Sequence, residues 1–85
     1  MKRNMRTAYN RLKKLGCPVY IHVDDNDKRF SIDSEAPDAY LWADYWASGR
    51  RWGFETTNPK IDEILRPLGL FAEWCNPGRL AVFEA

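Results

Sequence analysis

The 85-residue sequence predicts an α+β fold in which helices pack on a four-stranded antiparallel sheet, in the order α-β-β-α-α-β-β. Two pairs of segments with alternating apolar and polar residues each flank a short turn cluster, which is the pattern of a β-hairpin. The segments before and between the hairpins carry apolar residues at helical spacing, with start and stop signals at their ends. Because a chain of this length supports one modest core, we expect residues 1–85 to form a single domain.

The first helix is predicted over residues 4–15. Asn4 is the candidate N-cap, and Gly16 followed by Pro18 is a strong stop signal. Apolar residues recur at helical spacing at Met5, Ala8, Leu12 and Leu15. The other sides of the helix are polar and mostly basic, so a single side should pack on the sheet.

The two hairpins are predicted to form within residues 19–33 and 70–84. In the first, residues 19–23 and 29–33 alternate on either side of an Asp-Asp-Asn-Asp cluster. In the second, the strands flank Asn76, Pro77 and Gly78. Proline at the first turn position and glycine at the next predict a type II turn.

A second helix is predicted over residues 38–47, between the hairpins. It follows Pro37, with Ser34 or Asp38 as the candidate cap. The segment is apolar on nearly every side and is interrupted only by Asp44. Such a helix should be enclosed on most faces or shared with a partner.

The third predicted helix has the clearest start in the chain. Asn58 is the expected cap and Pro59 occupies the first helical position. Pro67 should close the helix, and Gly69 is the expected left-handed residue after it.

Composition and charge narrow the class of protein. Hydrophobic residues make up 45% and charged residues 29% of the chain, which are globular rather than disordered values. The apolar runs are too short for a membrane span or a signal peptide, so we expect a cytoplasmic location and no membrane partner. The net charge of +1 conceals +6 in residues 1–16 and −5 in residues 17–47.

The two cysteines, Cys17 and Cys75, are predicted to be reduced and partly buried thiols, because a secreted domain of this size usually has more cysteines. A Cys17–Cys75 disulfide is the alternative if the strands beside them adjoin.

The sequence contains no recognisable catalytic, metal or cofactor motif. Asp24, Asn26 and Glu35 match three positions of a calcium-binding loop, but a lysine and an arginine stand where a ligand and a glycine are needed. His22, the single histidine, lies in a predicted strand without a glycine-rich elbow or a matched nucleophile. We therefore predict a protein that is not an enzyme and that binds no cofactor or metal.

The aromatic residues are concentrated in residues 39–54, which hold six of the twelve rings in the chain. A small core encloses one side of a helix, so other rings in this stretch should remain exposed. Trp, Tyr and Arg are also the residues that most often anchor protein interfaces. We predict a protein-binding surface formed by Tyr40, Tyr45, Arg50, Arg51 and Trp52.

Two other interpretations of these rings stay open. Trp42, Trp46 and Trp74 can belong to the core, which would leave a smaller patch of half-exposed rings. A second copy of the chain can equally cover the patch in a twofold homodimer.

Nucleic-acid binding is the alternative function. Basic side chains of the first helix and of the loop near residue 50 could follow a phosphate backbone. These residues are Arg3, Arg6, Arg11, Lys13, Lys14, Arg50 and Arg51. Against this alternative, the sequence pI is about 7.8, and seven acidic residues lie between positions 24 and 44.

Three short pieces of the sequence resemble small uncharacterised accessory proteins of bacteriophage and prophage genomes. They are GLFAEWCNPG at residues 69–78, Ala43-Asp44-Tyr45, and Asn58-Pro59. The resemblance covers most of the chain and supplies no site residues. It implies a cytoplasmic, phage-type setting in which such proteins often act by binding a host protein.

Overall fold

The computed structural model describes residues 1–22, 28–46 and 56–85. It confirms the α+β class, because two α-helices of these residues pack on a four-stranded antiparallel sheet. The helices are α1 (Arg3–Lys14) and α2 (Pro59–Leu65). The strands are β1 (Val19–Ile21), β2 (Phe30–Asp33), β3 (Leu70–Asn76) and β4 (Arg79–Glu84).

The strands lie in the order β1-β2-β4-β3, and every neighbouring pair is antiparallel. Both predicted pairs of strands are therefore adjacent, and β2 joins the two pairs by hydrogen bonding to β4. Ile32 stands at this centre, opposite Val19 on one side and Leu80 on the other. β1 and β3 form the two edges of the sheet.

The core lies between the helices and one face of the sheet. Because side chains alternate between the faces of a strand, every second residue of each strand points toward α1 and α2. The buried core residues are Met5, Ala8, Leu12, Cys17, Phe30, Ile32, Ala43, Ile61, Leu65, Leu70, Leu80 and Val82. The opposite face, which we call the outer face, carries the alternate set, including Tyr20, Ser31, Phe71, Ala81 and Phe83.

α1 begins one residue before the predicted start, so Asn4 does not cap it. Lys2 occupies the N-cap position, and its side chain makes no capping hydrogen bond. Asn4 instead lies in the first turn, where its Nδ2 donates to the carbonyl oxygen of Leu68 at 3.0 Å. The amide therefore links α1 to the segment that leads into β3.

The end of α1 follows the prediction. Gly16 adopts a left-handed φ of +93°, and the N–H of Cys17 donates to the carbonyl oxygen of Leu12 at 3.0 Å, which is the Schellman arrangement. Leu15 was expected in the apolar stripe but is 50% exposed. As the C-cap residue it lies at the point where the chain leaves the helix.

The helix predicted over residues 38–47 is wrong for the described part of that range. The chain makes one 3-10 turn at Ala39–Leu41 and is not helical in residues 43–46. Asp38 precedes this turn in the left-handed region, with φ of 61°. The Oδ1 of Asp44 accepts the N–H of Trp46 at 3.0 Å, an Asx turn that competes with helical hydrogen bonding.

α2 follows its local sequence signals. The Oδ1 of Asn58 accepts the N–H of Lys60 at 2.9 Å, and Pro59 is the first helical residue. The α-helix gives way to a 3-10 turn at Arg66–Leu68, which ends at Gly69 with φ of +74°. The chain then enters β3 directly.

The turn between β3 and β4 is not the predicted type II turn. A type II turn needs a positive φ at Gly78, which is not among the described glycines that have one. The Oδ1 of Asn76 accepts the N–H of Gly78 at 2.9 Å. A Cβ at Gly78 would lie 2.9 Å from the carboxyl carbon of Glu35, so the glycine leaves space for that side chain.

The two cysteines differ in environment and form no disulfide. Cys17 is buried, and its desolvation raises the pKa of the thiol to about 12. Cys75 is exposed at the end of β3, so the expectation of partial burial is wrong for this residue.

Candidate functional site

Exposed apolar side chains are concentrated in the ring segment, which we define as residues 39–46. It holds four of the seven exposed large hydrophobic side chains in the described part of the chain. They are Tyr40 (49% exposed), Leu41 (47%), Tyr45 (40%) and Trp46 (72%). Single exposed apolar residues are ordinary, whereas several in one short segment indicate a contact surface.

Backbone hydrogen bonds tie the ring segment to the chain before α2. The N–H of Asp44 donates to the carbonyl oxygen of Thr56, and the N–H of Asn58 donates to that of Trp42, both at 2.8 Å. The Nδ2 of Asn58 also donates to the carbonyl oxygen of Leu41 at 3.1 Å. Asn58 thus caps α2 and holds the ring segment with the same side chain.

Three rings lead from the surface of the ring segment toward the core. Tyr45 contacts Trp46 edge to face with the ring centroids 4.9 Å apart, and it contacts Trp74 of β3 in the same way at 5.3 Å. The Nε1 of Trp74 donates to the Oγ1 of Thr56 at 2.8 Å. Because aromatic pairs in this geometry attract each other, Tyr45 is held in place while keeping part of its ring in solvent.

The structure describes two of the five residues predicted to bind a partner. Tyr40 and Tyr45 are both exposed, whereas Arg50, Arg51 and Trp52 lie outside the described residues. Leu41 and Trp46 are exposed but are not among the predicted residues, because one interpretation placed Trp46 in the core on the buried face of a predicted helix. Asp44 was the available signal, since an aspartate favours turns over helix interiors.

The structure describes the α1 part of the predicted nucleic-acid site but not its loop residues Arg50 and Arg51. Its basic residues on α1 are all exposed and make no ion pair within the described chain. They are Arg3, Arg6, Arg11, Lys13 and Lys14. The acidic cluster of residues 24–27, whose position would decide whether these charges are neutralised, lies outside the described residues, as do Arg50 and Arg51.

A polar cluster on the outer face joins three strands. His22 is buried, its Nε2 contacts the Oγ of Ser31, and the Nη2 of Arg79 lies 2.7 Å from its Nδ1. Arginine can only donate, so Nδ1 must accept, and the proton of the neutral ring is then on Nε2, directed at Ser31. A serine nucleophile needs the reverse arrangement, with a ring lone pair facing the hydroxyl. We therefore interpret the cluster as structural.

The described residues contain neither a metal-ligand cluster nor a membrane-spanning helix. No three His, Cys, Asp or Glu side chains among them come together as a metal site. The longest helix in residues 1–22, 28–46 and 56–85 is α1 with 12 residues, too short to span a bilayer. The calcium-loop positions Asp24 and Asn26 are outside these ranges.

Known proteins give no indication of what this chain does, so its function is inferred from the arrangement of its exposed side chains. Searches against protein families, curated proteins and solved structures gave no match.

Proposed function

We propose that this protein is a small, non-enzymatic binding module that docks on another protein through the ring segment. One observation carries the proposal: Tyr40, Leu41, Tyr45 and Trp46 are exposed on a short segment whose backbone is bonded to the fold. Because hydrogen bonds already fix the backbone of this surface, binding a partner costs it little conformational entropy. Its composition also matches the residues that dominate measured interface energies.

The exposed area of Trp46 sets the scale of its contribution. A tryptophan side chain buries roughly 150–250 Å² when fully packed, so its 72% exposure leaves about 110–180 Å² for a partner to cover. At about 25 cal/mol per Å² this area is worth about 2.8–4.5 kcal/mol before the costs of association. Trp46 alone can therefore act as a hot spot.

The proposed surface includes the predicted residues Arg50, Arg51 and Trp52. Trp52 follows the ring segment by six positions. Arginine beside exposed rings suits an interface, because the guanidinium both stacks on rings and binds carboxylates in a bidentate manner.

Affinity capture with matched variants tests the proposal. The tagged protein is compared with Tyr40→Ser/Trp46→Ser and with Tyr20→Ser, in lysate of a bacterial host. Tyr20 is 39% exposed on β1, far along the sheet order from the ring segment, and is the matched control. We expect the wild type and the control to capture the same proteins and the double variant to lose them.

Two readouts separate loss of binding from loss of folding. Each variant should keep the far-ultraviolet circular dichroism of the wild type and melt cooperatively. If a folded double variant captures the same proteins as the wild type, the ring segment is not the docking surface.

Nucleic-acid binding is the second candidate, favoured by the five exposed basic side chains of α1, which form no ion pair with another described residue. At 100° per residue, Arg3, Arg6, Lys13 and Lys14 fall within about 100° around the helix axis. This arc lies opposite the buried residues Met5, Ala8 and Leu12. A surface of this kind can follow a phosphate backbone.

Salt dependence tests this second candidate. If four side chains contact phosphates of a single strand, log K should fall against log salt with a slope of about −3. Changing the four residues to Gln should remove binding of a labelled oligonucleotide at low salt. Absence of any shift with the unmodified protein at low salt would eliminate the candidate.

The phage-type accessory setting, with inhibition of a host protein and a cytoplasmic location, also belongs to the proposal. It is supported by the resemblance of residues 69–78 and by the fit between a small binding module and such a role. Capture of one host protein in stoichiometric amount, followed by an assay of that protein's activity, would test it.

A further inference from the structure

The edge strand β3 leaves a row of backbone groups without partners. The N–H of Ala85 donates to the carbonyl oxygen of Gly69, which fixes the hydrogen-bonding phase of the β3–β4 ladder. In that phase Phe71 and Glu73 bond to β4. The N–H and C=O groups of Leu70, Ala72 and Trp74 therefore point away from the sheet, and none of them has a hydrogen bond among residues 1–22, 28–46 and 56–85.

The other edge is less open. β1 has three residues, and the N–H of Val19 is already bonded to the carbonyl oxygen of Cys17 at 2.9 Å. β3 has seven residues, so it offers the longer template. An open edge of this length readily pairs with another strand.

The sequence of β3 is complementary to itself in one antiparallel register. With Ala72 on a twofold axis, Leu70 lies opposite Trp74 of the partner subunit and Ala72 opposite the partner's Ala72. All three outward positions then form hydrogen-bonded pairs, which gives six backbone hydrogen bonds. On the outer face, Phe71 lies opposite the partner's Glu73.

The neighbouring registers are worse. A shift of two positions in either direction keeps four of the six hydrogen bonds. One shift places Glu73 opposite the partner's Glu73, and like charges directly opposite each other are destabilising. Shifts by one position would put the helices of the two copies on opposite faces of the sheet.

We propose that β3 pairs with β3 of a second copy about Ala72, which joins two four-stranded sheets into one of eight strands. The twofold axis is perpendicular to the sheet, so the helices of both copies lie on one face. Ala72 leaves room there, since a cavity of about 370 Å³ lies beside it, lined also by Thr57, Pro59, Ile61 and Asp62. The inference rests on the backbone groups of β3 and not on the exposed rings, although Trp74 of this edge also contacts Tyr45 of the ring segment.

Cysteine cross-linking tests the register. In a Cys75→Ser background, Ala72→Cys places two thiols on residues whose Cα atoms are about 5.5 Å apart, within the range that a disulfide spans. Phe71→Cys is the control, since its two copies are offset by two residues and lie about 8 Å apart. Cys17 is buried and should not interfere.

Sedimentation of the unmodified protein tests the association itself. The mass should rise from that of a 10.0 kDa monomer toward twice that value with concentration. Ala72→Pro removes an N–H that bonds only to the second copy, so it should weaken the dimer at least tenfold while leaving the β3–β4 ladder intact.

We expect rapid disulfide dimers from Ala72→Cys, few from Phe71→Cys and a weaker dimer from Ala72→Pro. The proposal is overturned if the unmodified protein is monomeric at every concentration or if the two cysteine variants cross-link equally. Undiminished dimer in a folded Ala72→Pro variant would also overturn it. If Ala72→Pro does not fold, the cysteine pair decides.

Discussion

Replacing Asn58 should measure how far α2 and the ring segment depend on one side chain. Its Oδ1 caps α2 through the N–H of Lys60, and its Nδ2 donates to the carbonyl oxygen of Leu41. Loss of a cap costs about 1 kcal/mol, and loss of a side-chain hydrogen bond costs about 1 kcal/mol. Asn58→Ala should therefore lower the free energy of unfolding by about 2 kcal/mol.

A second substitution separates the two contributions. Asn58→Ser keeps a capping oxygen but cannot reach Leu41, so it should cost about 1 kcal/mol. For a domain of this size each kcal/mol shifts the melting temperature by about 4–8 °C, which gives about 8–16 °C for Asn58→Ala. Urea unfolding and thermal melts measure both values. The reasoning fails if Asn58→Ala lies within 0.5 kcal/mol of the wild type, on the scale of a neutral surface change, or if the serine variant is as destabilised as the alanine variant.

Three further predictions concern stability. Leu65 is fully buried, so Leu65→Ala should lower the free energy of unfolding, measured in urea, by about 2–5 kcal/mol. Leu15 is half exposed, so Leu15→Ala should lower it much less. Similar decreases in the two variants would contradict the core assignment. Between pH 9 and 12 the unfolded chain loses the thiol proton of Cys17 while the folded state, in which burial raises its pKa to about 12, keeps it. The free energy of unfolding should therefore decrease with pH in the wild type, with a slope about 1.4 kcal/mol per pH unit steeper than in Cys17→Ala. Equal slopes in the two proteins would show that the Cys17 thiol is not buried. Trp74→Phe should cost about 1 kcal/mol through loss of the hydrogen bond to Thr56, and adding Thr56→Val should cost little more; full additivity would show that the pair is not coupled.

The parts of the fold that the sequence predicted depend on local signals. The alternating strands identify β1 to β4, and Asn58 with Pro59 marks the start of α2, because these patterns act within a few residues of where they occur. Gly16 and Gly69 likewise end helical turns at the expected places, since the left-handed conformation costs glycine little.

The features of the fold that the sequence did not predict depend on competition between local hydrogen-bonding patterns or on contacts between residues far apart in the sequence. In the ring segment, Asp44 forms an Asx turn that overrides an apparently helical pattern. Gly78 is explained by the approach of Glu35, which no turn rule contains. The cluster of His22 with Arg79 joins positions 57 residues apart. It forms because β2 lies between β1 and β4 in the sheet, and no local sequence pattern predicts that order.

The candidate site was half predicted from the sequence. A surplus of rings near the middle of the chain led to Tyr40 and Tyr45, and the structure finds both exposed. Composition could not rank the individual rings, because Trp46 is exposed in a segment where the Asx turn of Asp44 replaces the predicted helix.

Site-specific photo-cross-linking tests the docking proposal most directly. A benzophenone amino acid is placed at Tyr45 and, in a separate protein, at Tyr20, which is exposed to a similar extent. After irradiation in host lysate, we expect an adduct between the Tyr45 position and one other protein, and no such adduct at Tyr20. An adduct at Tyr20 without one at Tyr45 would place the partner on a different surface and contradict the account.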